Sequence, residues 1–108
     1  MTNYDPEQIK VTVLGQVDDV HDDNIDVYVH LPDGESWVAT FFTLENIAKY
    51  LRQYESTGEA LSGKYFWGSD MVILKDLRFE TIEATAREMV RNGQYLTAFT
   101  RSEKIEEE

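Results

Sequence analysis

The strongest constraint on the fold is a pair of alternating segments joined by a turn. Apolar and polar side chains alternate over residues 25–31, and residues 36–42 follow after the turn sequence PDGE at 32–35. A period of two puts successive side chains on opposite faces of a strand. Proline presets φ, aspartate can bond its own backbone, and glycine tolerates the positive φ of tight turns. The sequence therefore predicts an antiparallel hairpin over residues 25–42.

A strand and a helix flank this hairpin. Residues 9–17 alternate in the same way and predict an earlier strand. Thr43 is a suitable N-cap for a helix that ends near Gly58, because the apolar side chains between them recur every three or four positions. The apolar stripe of this helix, which we expect to be buried, consists of Leu44, Ile47, Leu51 and Tyr54.

The second half of the chain predicts one more strand and one more helix. Residues 65–75 are rich in aromatic and β-branched side chains and predict a strand, with a bulge or interruption at Gly68 as the alternative. The helix that follows ends at Gly93. Its apolar face consists of Phe79, Ile82, Ala86, Met89 and Val90. Residues 95–100 fit either a short strand or a helical turn.

This order, β-β-β-α-β-α-(β), predicts an α+β fold. We expect a mostly antiparallel sheet of four to five strands with two helices packed on one face. Residues 1–101 are predicted to form one domain, and residues 102–108, with four glutamates, an acidic and frayed C-terminal tail. The predicted core residues are Val11, Val13, Val27, Val29, Leu51, Ile73, Ile82 and Met89.

Charge and composition narrow the class of partner. The chain carries 21 acidic and 10 basic residues, for a net charge of -11, and it has no cysteine. Such a surface repels nucleic acid and anionic membranes and favours a positively charged or apolar protein partner. The absence of cysteine excludes thiol chemistry and fits a reducing compartment. The longest strongly apolar run, residues 71–74, is far too short to span a membrane, so we expect a cytoplasmic protein.

Near matches to chemical motifs lack the residues that the chemistry requires. Segment 58–64 fits the G-x-x-x-x-G-K pattern of phosphate-binding loops, but Tyr65 stands where a magnesium-binding hydroxyl is needed. Segment 22–26 begins like a calcium loop, but Val27 replaces the glycine of its sharp turn. Neither of the two histidines has a catalytic neighbour in sequence. We therefore expect a non-enzymatic protein with no cofactor and no metal site.

An aromatic run, YFWGSD at 65–70, is the candidate binding segment. In one interpretation its rings pack in the core on both faces of a strand. In the other, Trp67 or Tyr65 stays exposed as an anchor for a protein partner, with Asp70 beside it, because tryptophan and tyrosine are frequent binding hot spots. Acids of the segment 18–26 would steer that partner, and the candidates are Asp22, Asp23 and Asp26.

Two stretches of this chain, ATFFTLENI at 39–47 and GKYFWGSDMVI at 63–73, carry a resemblance. They resemble a class of small acidic bacterial α+β proteins of uncharacterised function, some of which serve as immunity partners of toxins. The resemblance implies an acidic protein-binding domain, of the immunity type, that inhibits a basic protein partner.

A second function stays open from the residues alone. A small-ligand or metal-dependent module would have a pocket between sheet and helices. Its polar groups would be His30, Tyr65, Ser69 and Asp70. An exposed strand would also allow a homodimer.

Overall fold

Strands and helices follow the predicted order in the computed structural model, which describes residues 5–102. The strands are β1 (Lys10–Leu14), β2 (Asn24–His30), β3 (Ser36–Thr43), β4 (Met71–Leu74) and β5 (Thr100–Ser102). The helices are α1 (Leu44–Thr57), α2 (Glu59–Gly63), α3 (Phe79–Arg91) and α4 (Tyr95–Ala98), and a 3₁₀ turn (Pro6–Gln8) precedes them. The α+β class is therefore confirmed. Within this part of the chain, no helix combines the length and the apolar character needed to cross a membrane.

The central strand of the sheet is β3, which is paired along both of its edges. One edge pairs antiparallel with β2, which in turn pairs antiparallel with β1. The other edge is shared: β4 pairs parallel with residues 40–43 and β5 pairs antiparallel with residues 36–38. Parallel strands need a long crossover between them, and α1 lies in the connection from β3 to β4. The sheet is thus mostly antiparallel, with one parallel pair.

The hairpin predicted from the alternating segments is confirmed. Leu31 donates its backbone N–H to the carbonyl of Glu35 at 2.8 Å, and Gly34 donates to the carbonyl of Leu31 at 3.0 Å. Gly34 has a φ of 94°, a conformation that glycine adopts without a side-chain clash. The local turn chemistry therefore sets the pairing of β2 with β3.

The core lies on one face of the sheet, beneath α3 and α4. Val27 lies opposite Ala39 and Ile25 opposite Phe41 on this face, so these positions alternate with outward-facing ones. The buried apolar residues are Ile9, Ile25, Val27, Val29, Leu31, Ala39, Phe41, Leu74, Leu77, Ile82, Ala86, Val90, Tyr95 and Phe99. Among the predicted core residues, Val27, Val29 and Ile82 are buried, and Val11, Val13 and Met89 pack partly buried against the cluster.

Two of the predicted core residues lie elsewhere. Ile73 is 47% exposed, because its pairing with Phe42 puts it on the outer face while Val72 and Leu74 point to the core. Leu51 is only partly buried and lies outside the core cluster.

The strand predicted over residues 65–75 is shorter than expected. Only Met71–Leu74 pairs with the sheet, and Asp70 just before it has a φ of 55°. A left-handed residue breaks the extended conformation, so the alternation of residues 65–70 does not continue into β4. The predicted interruption in this segment is therefore real, although Asp70 rather than Gly68 carries the positive φ.

The predicted buried stripe of α1 is also wrong in part. The cap is confirmed, since the Thr43 hydroxyl accepts the N–H of Asn46 at 3.2 Å. Leu44, however, is 69% exposed, and Asn46 is the one buried residue of the helix. At the start of α1 it is Asn46 that faces the loop before β2, where it bonds Asn24 and Asp22, and Leu44 faces solvent.

The helical turn is the alternative that the structure has for residues 95–100. Tyr95–Ala98 forms the short helix α4, and after Phe99 the strand β5 begins at Thr100. Ser102, assigned from sequence to the tail, is the last residue of β5, and residues 103–108 lie outside the described part of the chain.

Two glycines shape the junction of α1 and α2. Gly58 ends α1 with a φ of 88° and donates its N–H to the carbonyl of Tyr54 at 2.8 Å. Ala60, Leu61 and Ser62 then take left-handed φ values of 50–57°, and Gly63 a φ of 85°. A Cβ on Gly63 would lie 2.5 Å from the carbonyl oxygen of Leu51. The glycine spacing that imitates a phosphate-binding loop thus serves a tight left-handed turn packed on α1.

We expect Gly63→Ala to destabilise the protein more than Gly58→Ala. Both substitutions impose a left-handed φ on alanine, at a cost of roughly 1–2 kcal/mol. Only Gly63→Ala also drives a methyl group into a backbone carbonyl, since nothing lies within 4 Å of a Cβ at Gly58. Overpacking of this kind costs a further ~1–3 kcal/mol. Urea denaturation of the two variants measures the difference, and equal losses of stability would show that α2 does not pack on α1 as described.

Candidate functional site

The aromatic run is held by one ring, Phe66, which packs into a cluster of three others. Its centroid lies 5.4 Å from that of Phe42 in an edge-to-face contact. It lies 5.5 Å from the ring of Tyr50 and 6.5 Å from that of Tyr54, nearly parallel to both. Tyr50 and Tyr54 are one turn apart on α1 and therefore present their rings on one side of the helix. Ring contacts of this geometry stabilise a fold by more than the burial of their apolar surface alone would.

The two neighbours of Phe66 point away from this cluster. Trp67 is 73% exposed and Tyr65 is 48% exposed. Over residues 5–102, the ring contacts include neither of them. The core interpretation of the aromatic run is therefore wrong: Phe66 is half-buried in a ring cluster outside the core, and two large rings of the same segment face solvent.

The C-terminal end of the aromatic run is hydrogen-bonded to the sheet. Thr40 of β3 donates its backbone N–H to the carbonyl of Asp70 at 2.8 Å. Asp70 holds its left-handed conformation at this point and directs the chain into β4. Phe66 and Asp70 thus fix both ends of the segment that contains Trp67.

Trp67 and Tyr65 form one side of a shallow groove of about 210 Å³. The groove is lined by Tyr54, Glu59, Ala60, Tyr65, Phe66 and Trp67. Glu59 is exposed, and its Oε1 accepts a hydrogen bond from the Thr57 hydroxyl at 3.2 Å. No lysine or arginine of the described chain lies within ion-pairing distance of Glu59. Four of the six lining residues are thus aromatic, and the one carboxylate among them has no cation of the described chain beside it.

The candidate acids of the loop before β2 do not have equivalent positions. Asp22 accepts a hydrogen bond from Asn46 Nδ2 at 3.2 Å and pairs with Lys49 Nζ at 3.3 Å. The hydrogen bond from Asn46 is the main cause that holds the pKa of Asp22 below its ordinary value, and the positive charge of Lys49 lowers it further. Asp23 accepts the backbone N–H groups of residues 18 and 24, each at 2.9 Å. These two carboxylates organise the loop and attach it to α1.

Asp26 has a different environment. It is exposed on the outer face of the sheet, where it accepts the Thr40 hydroxyl at 2.7 Å. Asp26 pairs with Thr40, and Thr40 lies two positions before Phe42 on β3. Alternate residues of a strand share a face, so Asp26 lies on the same face of the sheet as the Phe42 ring of the aromatic cluster. Asp26 is therefore the one of the three candidate acids that is both exposed and close to the aromatic loop.

A polar network that the sequence did not reveal connects the acidic loop with the aromatic cluster. Asn24 Nδ2 donates to Asn46 Oδ1 at 2.9 Å and approaches the Tyr50 hydroxyl at 3.4 Å. Asn46 also holds Asp22, and Tyr50 stacks on Phe66. Asparagine at the start of a strand or in the first turn of a helix is normally a surface residue, so the sequence gave no sign that Asn24 and Asn46 would bond to each other. Asn46 is buried because the start of α1 packs against the loop before β2.

The polar groups of the small-ligand alternative do not come together. His30 contacts the hydroxyls of Thr12 at 3.0 Å and of Ser36 at 2.8 Å. Asp70 meets β3 at Thr40, four residues from Ser36 and roughly 13 Å along the strand. Burial, and after it the Lys10 ammonium, lowers the pKa of His30. Across residues 5–102, no group of three or more histidines and carboxylates is arranged to hold a metal ion.

No family model, curated protein or solved structure matches this chain.

We expect Phe66→Ala and Trp67→Ala to differ sharply in their effect on stability. Phe66 loses ring contacts with Phe42, Tyr50 and Tyr54, so its truncation should lower the free energy of unfolding by about 2 kcal/mol or more. Trp67 is mostly exposed, so its truncation should change stability by less than about 0.5 kcal/mol. Thermal and urea denaturation measure both. A large loss in Trp67→Ala would mean that the indole belongs to the core.

Proposed function

We propose that this protein is a non-enzymatic acidic domain that binds a positively charged protein partner, in the manner of an immunity protein that covers a basic surface of a toxin. The observation that carries the proposal is the position of Trp67, which is 73% exposed while the adjacent Phe66 is packed among three rings. An exposed tryptophan on a loop fixed at both ends is a suitable binding anchor, because little conformational entropy is lost when it docks.

The charge of the chain favours a basic partner over a second copy. Two copies of the chain, each with a net charge of -11, repel one another. A basic protein is attracted instead, over a distance that the salt concentration sets. The exposed acids proposed to attract this partner are Asp26, Glu45 and Glu59. A chain without cysteine suits an encounter in the reducing cytoplasm.

In the proposed complex, the Trp67 anchor and the exposed acids affect different rate constants. A buried aromatic anchor acts mainly on dissociation, and charges at the rim act mainly on association. Asp22 and Asp23 are unsuitable for neutralisation, because their loss would disturb the loop itself. The informative charge variant is therefore the combination of Asp26→Asn, Glu45→Gln and Glu59→Gln.

The experiment captures partners from the native host and then measures binding kinetics with the purified partner. Trp67→Ala should speed dissociation by roughly 30-fold or more, as expected for a hot spot. The triple charge variant should slow association and flatten its dependence on salt. Surface plasmon resonance at several salt concentrations gives both rates.

Two matched controls lie on the helix that covers the opposite face of the sheet. Phe79 is 56% exposed at the start of α3, and Glu80 beside it is exposed, so Phe79→Ala and Glu80→Gln remove an exposed ring and an exposed charge far from the aromatic loop. Both should leave the rates unchanged. The proposal is wrong if a folded Trp67→Ala protein dissociates as slowly as the parent.

A further inference from the structure

The size of the aromatic groove limits what can occupy it. Its volume of about 210 Å³ is below the ~300–1,000 Å³ that is common for pockets that enclose a cofactor or a drug-sized molecule. The groove is also shallow, with its exposed wall formed by Trp67 and Tyr65. A single side chain presented by a partner protein suits this space better than a free small molecule.

The lining of the groove has the chemistry of a cation site. Its rings come from Tyr54, Tyr65, Phe66 and Trp67, and its one charged group is the Glu59 carboxylate. The face of an aromatic ring is electron-rich and attracts a cation, most strongly when the ring is an indole. A carboxylate next to such rings adds a direct counter-charge. An apolar side chain would use the rings but would leave the Glu59 carboxylate without a counter-charge.

No cation of residues 5–102 is paired with this site. Lys64, which precedes the aromatic run, donates its Nζ to the carbonyl of Leu61 at 3.5 Å. Among residues 5–102 the ion pairs leave out Glu59, and the ring contacts leave out Tyr65 and Trp67. The groups that would hold a cation are thus exposed and available.

We infer that the groove receives an arginine side chain of the protein partner, with the guanidinium stacked on Trp67 and Tyr65 and paired with Glu59. Arginine fits better than lysine, because its planar guanidinium can lie on a ring while its N–H groups point to a carboxylate, and because it is less strongly hydrated than an ammonium. The inference rests on the proposed function in one respect: the partner supplies the arginine.

The test uses three blocked tripeptides that differ only in the central side chain: acetyl-Gly-Arg-Gly-amide, the same peptide with lysine, and the same peptide with citrulline. Citrulline keeps the shape of arginine without its charge. Titrations are followed by ¹H–¹⁵N NMR at 0.15 M salt, where attraction between distant charges is screened. The signals of interest are the Trp67 indole N–H and the Ala60 amide, both at the groove.

The arginine peptide should shift these signals and bind about 2- to 30-fold more tightly than the citrulline peptide, the range expected for a cation on aromatic rings. The lysine peptide should bind with intermediate affinity. Glu59→Gln should weaken the preference for arginine, and Trp67→Ala, monitored at the Ala60 amide, should remove it. Phe79→Ala and Glu80→Gln should keep the full preference.

Three results would overturn the inference. The first is equal affinity for the arginine and citrulline peptides, and the second is no saturable shift at the groove. The third is a preference for arginine that survives both Trp67→Ala and Glu59→Gln, which would reflect the net charge alone. A different result would contradict the proposed function: a partner that dissociates from Trp67→Ala at the same rate as from the parent protein. Loss of arginine selectivity alone leaves the protein-binding proposal intact.

Discussion

The packing of Phe66 against Phe42, Tyr50 and Tyr54 is the interaction on which the candidate site depends. Without it, the residues between α2 and β4 would be an ordinary connection, and their large apolar rings would be free to collapse onto other surfaces. With it, the ring in the middle of the run is held, and its two neighbours are directed outward. One packed ring thus converts an apolar segment into an exposed and positioned surface.

The cluster depends in turn on how the crossover is built. Phe42 comes from the outer face of β3, while Tyr50 and Tyr54 come from α1, which starts directly after β3. The orientation of α1 is fixed by the Thr43 cap at its start and by the contacts of Asn46 with Asn24 and Asp22. Any change that rotates α1 would therefore disturb both the aromatic groove and the acidic loop.

Local patterns predicted the elements whose structure is determined locally. The hairpin follows from the turn sequence at 32–35, and the start of α1 follows from the Thr43 cap. Sequence could not place Ile73, because the left-handed Asp70 breaks the alternation on which its face was predicted. It could not foresee the exposure of Leu44 either, since that depends on which side of α1 faces the loop before β2.

The candidate site shows the same division between local and tertiary information. The composition of the aromatic run identified the segment, but only the fold separates Phe66, half-buried among three rings, from the exposed Trp67 and Tyr65. Likewise, the acids were identified as a group by charge, and only their hydrogen bonds distinguish Asp22, which attaches the loop to α1, from the exposed Asp26.

Trp67 is exposed and yet held in place by the residues on either side of it. Because the chain has two tryptophans, a Trp37→Phe protein reports on Trp67 alone, and a phenylalanine at 37 keeps a ring against Tyr95. Time-resolved fluorescence anisotropy with acrylamide quenching is the direct measurement. We expect strong quenching together with an anisotropy that decays at the tumbling rate of the whole protein, and fast local motion once Phe66 is replaced by alanine. A protected indole, or one that moves rapidly with Phe66 intact, would show that Trp67 is not an exposed and immobilised anchor.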